Sequence, residues 1–87
     1  MVNNPDPEYP AEAASLKARS RLLIAIQQTL EGWALPSAAA AKRLGLTQVR
    51  LKELHRGNID SFSLDDLMRL AAVAGLSVTL EVVRSAA

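Results

Sequence analysis

The first long stretch of the chain repeats apolar residues at the spacing of a helix. Ala11–Glu31 contains no glycine or proline, and its apolar residues recur three, four or seven positions apart: Leu16, Leu23, Ile26 and Leu30. An α-helix turns by about 100° per residue, so this spacing places the four side chains in one stripe. The pattern predicts a helix over Ala11–Glu31 that ends at Gly32.

Two shorter helices are predicted from the residues at their ends. Pro36 opens a helix over Ser37–Leu44, because proline is tolerated in a first turn. Thr47 is a good N-cap for a helix over Gln48–Arg56. Turn-forming residues follow both helices: Gly45 after the second, and Gly57 with Asn58 after the third.

A fourth helix and a strand complete the pattern. Ser63 caps a helix over Leu64–Ala74, with Asp65 and Asp66 in its first turn, where the helix dipole favours negative charge. After Gly75 the residues become β-branched and mostly alternate with polar ones, which predicts a strand over 77–83. A lone strand is not stable, so it must pair with a second copy or with another protein. We therefore expect an all-α domain of four to five helices with a C-terminal strand used for pairing.

Length and composition narrow the class of protein. The 87 residues hold one domain, which we place at 11–87, after a flexible acidic tail over 1–10 with three prolines. There is no cysteine and only one histidine, His55, so we expect no disulfide and no metal or other cofactor. We find neither a nucleophile with its base nor a phosphate-binding glycine loop, and predict that the chain is not an enzyme.

The cellular location is predicted from two further features. No apolar run approaches the ~20 residues that span a bilayer, and the polar start of the chain is unlike a signal peptide. We therefore expect a cytoplasmic protein without a membrane partner.

Charge is distributed unevenly along the chain. The net charge is only +1, but Lys17–Asn58 carries eight basic residues and two acidic ones, a local charge of +6. The segments before and after it are acidic. Because local charge governs attraction to a phosphate backbone, the middle of the chain is the candidate for binding nucleic acid.

The basic segment contains a possible DNA-reading unit over Leu35–Arg56. Four consecutive alanines leave room for a third helix to cross close to the second, and Gly45 permits a tight turn between them. Apolar residues on both sides of the turn are expected to face the core: Leu35, Leu44, Leu46, Leu51 and Leu54. Burial of the last two exposes the opposite face of the third helix, which carries Gln48, Val49, Lys52 and Arg56, with Arg50 at its flank. These side chains suit base edges and phosphates.

Two stretches resemble the Xre/Cro-type helix-turn-helix family, particularly its small HigA-like antitoxins. They are Arg43–Gln48 (RLGLTQ) and Leu54–Leu67 (LHRGNIDSFSLDDL), the second being similar to the antitoxin pattern LLRG-ID-FSLD-L. The resemblance runs from about Leu16 to Val83 and implies a lambda-repressor-like fold. It implies that Gln48, Val49 and Lys52 face bases, while Arg50 and Ser37 approach phosphates. Thr47 and Asn58, at the two ends of the third helix, complete the expected DNA-binding set.

The resemblance also implies a cognate mRNA-cleaving toxin whose operon the protein represses. Because one recognition helix reads only a few base pairs, we further expect two copies of the chain, a homodimer, on double-stranded DNA with a palindromic operator. The family usually has a Thr-Gln pair where this chain has Pro36-Ser37, and the shorter Ser37 weakens the expected phosphate contact. The alternative is a protein-interaction module that neutralises a toxin without reading DNA specifically. The acidic tail is then either a linker or an arm around the toxin, and the strand pairs with itself or with that toxin.

Overall fold

The computed structural model describes residues 9–84, and this part of the chain folds into α-helices joined by short turns. The helices are α1 (Tyr9–Trp33), α2 (Ser37–Leu44), α3 (Gln48–Arg56) and α4 (Leu64–Val73), with a 3-10 turn at Ile59–Ser61 between α3 and α4. The predicted all-α class with four helices is confirmed. Of the tail predicted over 1–10, residues 1–8 lie outside the described residues, and α1 begins at Tyr9 rather than at Ala11.

Helix α1 continues past the glycine that is expected to end it. Gly32 lies inside the helix, and the backbone becomes left-handed two residues later, at Ala34, with a φ of 53°. A left-handed alanine costs about 1–2 kcal/mol, which the surrounding structure must offset. Leu35 follows this reversal and is 40% exposed, so the prediction that it faces the core is wrong.

Even α1, with 25 residues, is not apolar enough to cross a bilayer, and the same holds for the other helices of residues 9–84.

The predicted bounds of α2 and α3 are confirmed. Gly45 is left-handed with a φ of 72°, and its N–H donates to the Lys42 carbonyl at the end of α2. Three residues later α3 begins, and the Thr47 hydroxyl accepts the Arg50 N–H at 3.1 Å, as an N-cap does. Gly57, with a φ of 73°, closes α3 in the same way as Gly45 closes α2.

Helix α4 has a complete capping box at its start. The Ser63 hydroxyl accepts the Asp66 N–H, and the Asp66 carboxylate accepts the Ser63 N–H, each at 3.0 Å. Two backbone donors that the helix leaves unpaired are thereby satisfied. The helix ends at Val73, one residue earlier than predicted, and the left-handed Gly75 follows.

One hydrophobic core joins the four helices. Its buried members come from every α-helix and from the segment before α4: Leu23, Ile26, Leu30, Ala40, Ala41, Leu44, Leu51, Leu54, Phe62, Leu67, Leu70 and Ala71. The small side chains of Ala40 and Ala41 let α2 pack against α3, as the alanine run predicts, and α2 also contacts α4. The stripe on α1 is buried only from Leu23 onwards, since Leu16 is 45% exposed.

The C-terminal strand predicted over 77–83 is absent from the described residues. Leu76 is half-buried against the core, but residues 77–84 have no regular structure and are exposed. The physical reason is that a strand requires ladder hydrogen bonds to a neighbour, and residues 9–84 of a single chain contain no second strand. The strand prediction therefore does not hold for the isolated chain.

Leu67 on α4 is fully buried within the core and is expected to contribute much to the stability. Leu67→Ala should lower the free energy of unfolding by about 2–5 kcal/mol, since it removes apolar contacts and leaves a cavity. Met68→Ala, the next residue and 43% exposed, should cost less than ~1 kcal/mol. Urea titrations followed by far-UV circular dichroism measure both values, and equal losses would contradict this account of the core.

Candidate nucleic-acid interface

Helices α2 and α3 form a compact helix-turn-helix unit. Gly45, Leu46 and Thr47 connect them, and the Leu46 N–H donates to the Ala41 carbonyl at 2.9 Å. Leu44 and Leu46 pack into the core beneath this turn. Helix α3 is thus held at a fixed angle to α2, as DNA-reading units of this kind require.

Burial determines which side of α3 is available to a partner. Leu51 and Leu54 are 1% and 0% exposed, so this side of the helix is fully covered. The opposite side carries exposed Gln48, Val49, Lys52 and Arg56, and Val49 is 70% exposed. The structure therefore brings together, on one surface, the four residues that the sequence places there; we call these four the reading face.

A fifth exposed residue of α3 is His55, to which the sequence analysis assigns no binding role. It lies seven positions after Gln48, and two helical turns bring it back to within about 20° of the same direction. Its backbone carbonyl accepts from the Gln27 side chain, while its own side chain lies outward. The helical wheel alone could have found it.

Arg50, which the sequence places at the flank of the exposed side, is instead turned toward the protein. Its guanidinium donates to the Ser61 carbonyl at 2.6 Å and lies 4.1 Å from the centre of the Phe62 ring. It also approaches the Asp66 carboxylate, with 3.8 Å between nitrogen and oxygen. A guanidinium with these three contacts ties α3 to the start of α4. The side chain remains 37% exposed, and its contact with a DNA phosphate stays a prediction.

Asn58, also predicted at the DNA, has an internal partner as well. Its side-chain amide donates to the Glu53 carboxylate at 2.5 Å, and the Ser61 hydroxyl donates to the same oxygen at 3.2 Å. These two hydrogen bonds lower the pKa of Glu53, because they favour its charged form. Glu53 thus links α3 to the 3-10 turn, next to Arg50. Asn58 and Ser61 lie five and eight positions after Glu53, so local sequence patterns do not reveal their hydrogen bonds to it.

Hydrogen bonds also stabilise the charged form of the Asp66 carboxylate. The Ser63 backbone N–H and then the Ser63 hydroxyl lower the pKa of Asp66, and Arg50 adds a smaller effect of the same sign. A lowered pKa keeps the group ionised at neutral pH. Asp66 therefore caps α4 and faces Arg50 as a negative charge, which confirms the capping interpretation.

The C-terminal end of α3 is supported by α1. The Gln27 amide donates to the Leu54 carbonyl at 2.9 Å and to the His55 carbonyl at 3.4 Å. These carbonyls belong to the last turn, where a helix leaves its acceptors without partners. Gln27 was missed by sequence reasoning, because an isolated glutamine on α1 has no distinguishing pattern.

Helix α2 presents the remaining predicted contacts. Ser37 is exposed at the first position of α2, where the backbone N–H groups of a helix suit an anion. Lys42 and Arg43 are exposed at the other end, and the Arg43 guanidinium lies 4.0 Å above the ring of Trp33. Trp33 is half-buried against the core, and Arg43 covers its outer face.

The contacts of Arg50 generate a prediction that separates anchoring from DNA contact. Arg50→Met should lower the free energy of unfolding by roughly 1–2 kcal/mol, since a charge-assisted hydrogen bond and a cation–π contact are lost. Lys52→Met, two positions along on the exposed side, should change it by less than about 0.5 kcal/mol. Urea unfolding of both variants measures this. A fully stable Arg50→Met protein with a smaller salt dependence of DNA binding would contradict the anchoring role and support the predicted phosphate contact.

Comparison with known proteins agrees with this geometry. A family described as a helix-turn-helix domain matches residues 6–83, which is most of the chain. No curated protein matches the chain significantly. The match includes the whole of the α2–turn–α3 unit and both helices that support it. The chain belongs to this helix-turn-helix domain family.

Proposed function

We propose that the protein is a sequence-specific DNA-binding regulator that inserts α3 into the major groove of duplex DNA. The observation that carries this proposal is the division of α3 into two sides. Leu51 and Leu54 are buried and Arg50 is anchored, whereas the reading face is exposed. The major groove is about 12 Å wide and admits one helix.

The side chains of the reading face match the chemistry of base edges. A glutamine amide such as that of Gln48 donates and accepts in the pattern that adenine presents in the major groove. The methyl groups of Val49 suit the methyl group of thymine, and Lys52 suits the acceptors of guanine. Gln48 and Val49 stand in the first turn of α3, and the N-terminal residues of recognition helices are the ones that meet base edges.

The local charge supports the same assignment. The +6 of Lys17–Asn58 lies in α1, α2 and α3, the elements that form and support the helix-turn-helix unit, and favours attraction to phosphate. Three of these basic residues are exposed on the helix-turn-helix unit outside the first turn of α3: Lys42 and Arg43 on α2, and Arg56 at the end of α3.

The chain would act as a two-fold dimer on a palindromic operator. One recognition helix reads only a few base pairs, and dimers of such domains span half-sites about 34–36 Å apart. The exposed segment 77–83 supports a dimer, because Leu80, Val82 and Val83 are 87%, 85% and 75% exposed. Antiparallel pairing of this segment between two copies would supply the missing ladder hydrogen bonds and cover its apolar side chains.

The finer proposal is that the regulator is an antitoxin that represses the operon encoding it and its toxin. This rests on the resemblance of Arg43–Gln48 and Leu54–Leu67 to small HigA-like antitoxins. A toxin that cleaves mRNA would be the partner, and the protein would act in the cytoplasm with the DNA and have no catalytic step of its own. In the competing function, a protein-interaction module, segment 77–83 would add a strand to the sheet of a toxin. Its exposed apolar side chains favour such a partner as well.

The base-reading role of Gln48 is tested with duplexes selected from a randomised pool. Gln48→Ala should weaken binding to the preferred duplex by about 1–3 kcal/mol and relax the choice of base at one position per half-site, because a paired base edge is lost. Fluorescence anisotropy with preferred and scrambled duplexes measures both effects. The control is Gln28→Ala, which removes the same amide from an exposed site on α1. An unchanged base preference in Gln48→Ala would exclude the role.

The proposed dimer is tested at the centre of segment 77–83. Leu80→Pro removes a ladder donor and an apolar side chain, and should abolish dimerisation and operator binding while leaving the helical circular dichroism intact. Thr79→Ala keeps the donor and should remain a dimer. Sedimentation velocity measures the assembly. A dimeric Leu80→Pro protein would exclude self-pairing and make a toxin the better partner for the segment.

A further inference from the structure

An open groove lies between α4 and the turn that joins α2 to α3. The buried Leu44 and Leu70 and the half-buried Leu46 line it, together with Val73, which is 53% exposed. Its volume is about 270 Å³. Sites for small molecules usually have roughly 300–1,000 Å³, so this groove is better suited to one or two side chains of another polypeptide segment.

The charged side chains that line the groove already have partners of opposite charge. The Arg50 guanidinium lies 3.8 Å from the Asp66 carboxylate, and Arg69 forms an ion pair with Asp65 at 2.9 Å. A charged ligand would have to compete with these ion pairs. An apolar side chain would meet no such competition and would remove exposed apolar surface, that of Val73, from water. The groove therefore favours an apolar occupant.

Segment 77–83 begins beside this groove. The Leu76 N–H donates to a carbonyl of α4 at 2.9 Å, so the segment leaves directly from the end of the helix that carries Val73. In the single chain Leu80 and Val82 are 87% and 85% exposed. The segment thus starts next to an apolar groove and leaves its own apolar side chains in solvent.

Pairing of two such segments creates a further requirement. Val78, Leu80 and Val82 alternate with polar residues and share one side of an extended strand. A ribbon of only two strands is marginal in water unless it packs against another element such as a helix. Val73 is the large exposed apolar side chain that precedes the segment most closely, and it stands on a helix. The end of α4 is therefore the surface on which the ribbon can pack.

The symmetry of the pair determines which side chain reaches the groove. Antiparallel pairing about a two-fold axis at Leu80 places the partner's Val82 opposite Val78, with about 4.5–5.5 Å between their Cβ atoms. That position is at the start of the segment, close to Val73. Within one chain, by contrast, an extended segment carries Val82 about 20 Å away from Leu76. A chain cannot fill its own groove with this residue.

We propose that the partner's Val82 packs into this groove against Val73 and Leu46, so that each copy of the chain covers the groove of the other. This rests on the proposed function, since it identifies the surface on which the ribbon of the proposed dimer packs. The α2–α3 turn and Arg50 of α3 line the same groove. Dimer assembly therefore supports the unit that carries the reading face, and a dimer holds its two recognition helices more rigidly than a monomer does.

The first test compares two substitutions that add the same charge to α4. Val73→Lys should raise the dissociation constant of the dimer more than about tenfold, because it places an ammonium group where an apolar side chain of the partner packs. Met68→Lys, at a 43% exposed position outside the groove, should change it less than about twofold. Sedimentation equilibrium measures both constants, and circular dichroism confirms that both proteins are helical. Equal dissociation constants would overturn the inference.

The second test identifies the occupant of the groove with a disulfide. The chain contains no cysteine, so Val73→Cys combined with Val82→Cys introduces a single pair of thiols per chain. Mild oxidation of the full chain should give a covalent dimer on a non-reducing gel, with the 73–82 link found by mass spectrometry. Met68→Cys combined with Val82→Cys is the control and should give no such dimer. A link within one chain would place the chain's own segment in the groove, and the absence of any link would leave the groove to another protein. Either result would overturn the inference.

These outcomes are distinct from a failure of the proposed function. A wild-type protein that is a monomer both alone and on DNA would overturn the proposed dimer and this inference with it. A wild-type dimer that binds its operator specifically but forms no 73–82 disulfide in the double variant would overturn the inference alone. Formation of that disulfide without specific DNA binding would support the groove contact and overturn the proposed function.

Discussion

The burial of Leu51 and Leu54 is the interaction on which the rest of the site depends. Helix α3 has only nine residues, and isolated helices shorter than about 12–15 residues are marginal in water. It is therefore stable as a helix because two side chains, one turn apart, are packed into the core. The same contact settles its rotation about its own axis, and so determines that Gln48 and Lys52 lie outward.

Polar contacts then restrain the helix that the core has positioned. Thr47 caps its start, Gln27 supports its last turn, and Arg50 and Glu53 tie its remaining side to the segment that leads into α4. The Gln27 contact joins α3 to α1, whereas the Arg50 and Glu53 contacts both join it to Ser61. A recognition helix that is restrained in this way is already ordered before it meets DNA. Binding therefore carries no entropy cost for ordering that helix.

Local features were predictable from the sequence, and long-range ones were not. The bounds of α2 and α3 follow from Gly45, Thr47 and Gly57, because caps act over one to three residues. The inward turn of Arg50 depends on Phe62 and Ser61, which only the fold brings near it. The same limit explains why α1 does not end at Gly32. A glycine permits the left-handed conformation, but the packing of the chain places that conformation at Ala34. In segment 77–83 the alternation of apolar and polar residues predicts that the segment can pair as a strand. The strand does not form because a single chain offers no second strand.

The separation of the two sides of α3 also has an evolutionary consequence. Surface substitutions away from caps and buried networks usually change stability by less than about 0.5 kcal/mol, so Gln48, Val49 and Lys52 can be exchanged at little cost to the fold. An exchange of Leu51, Leu54 or Arg50 would cost stability, because each has partners inside the protein. On the proposed function, duplicated copies of such a gene can diverge in the sequence that they recognise while they keep one scaffold. Selection for a new target then acts on a few adjacent codons that folding leaves unconstrained.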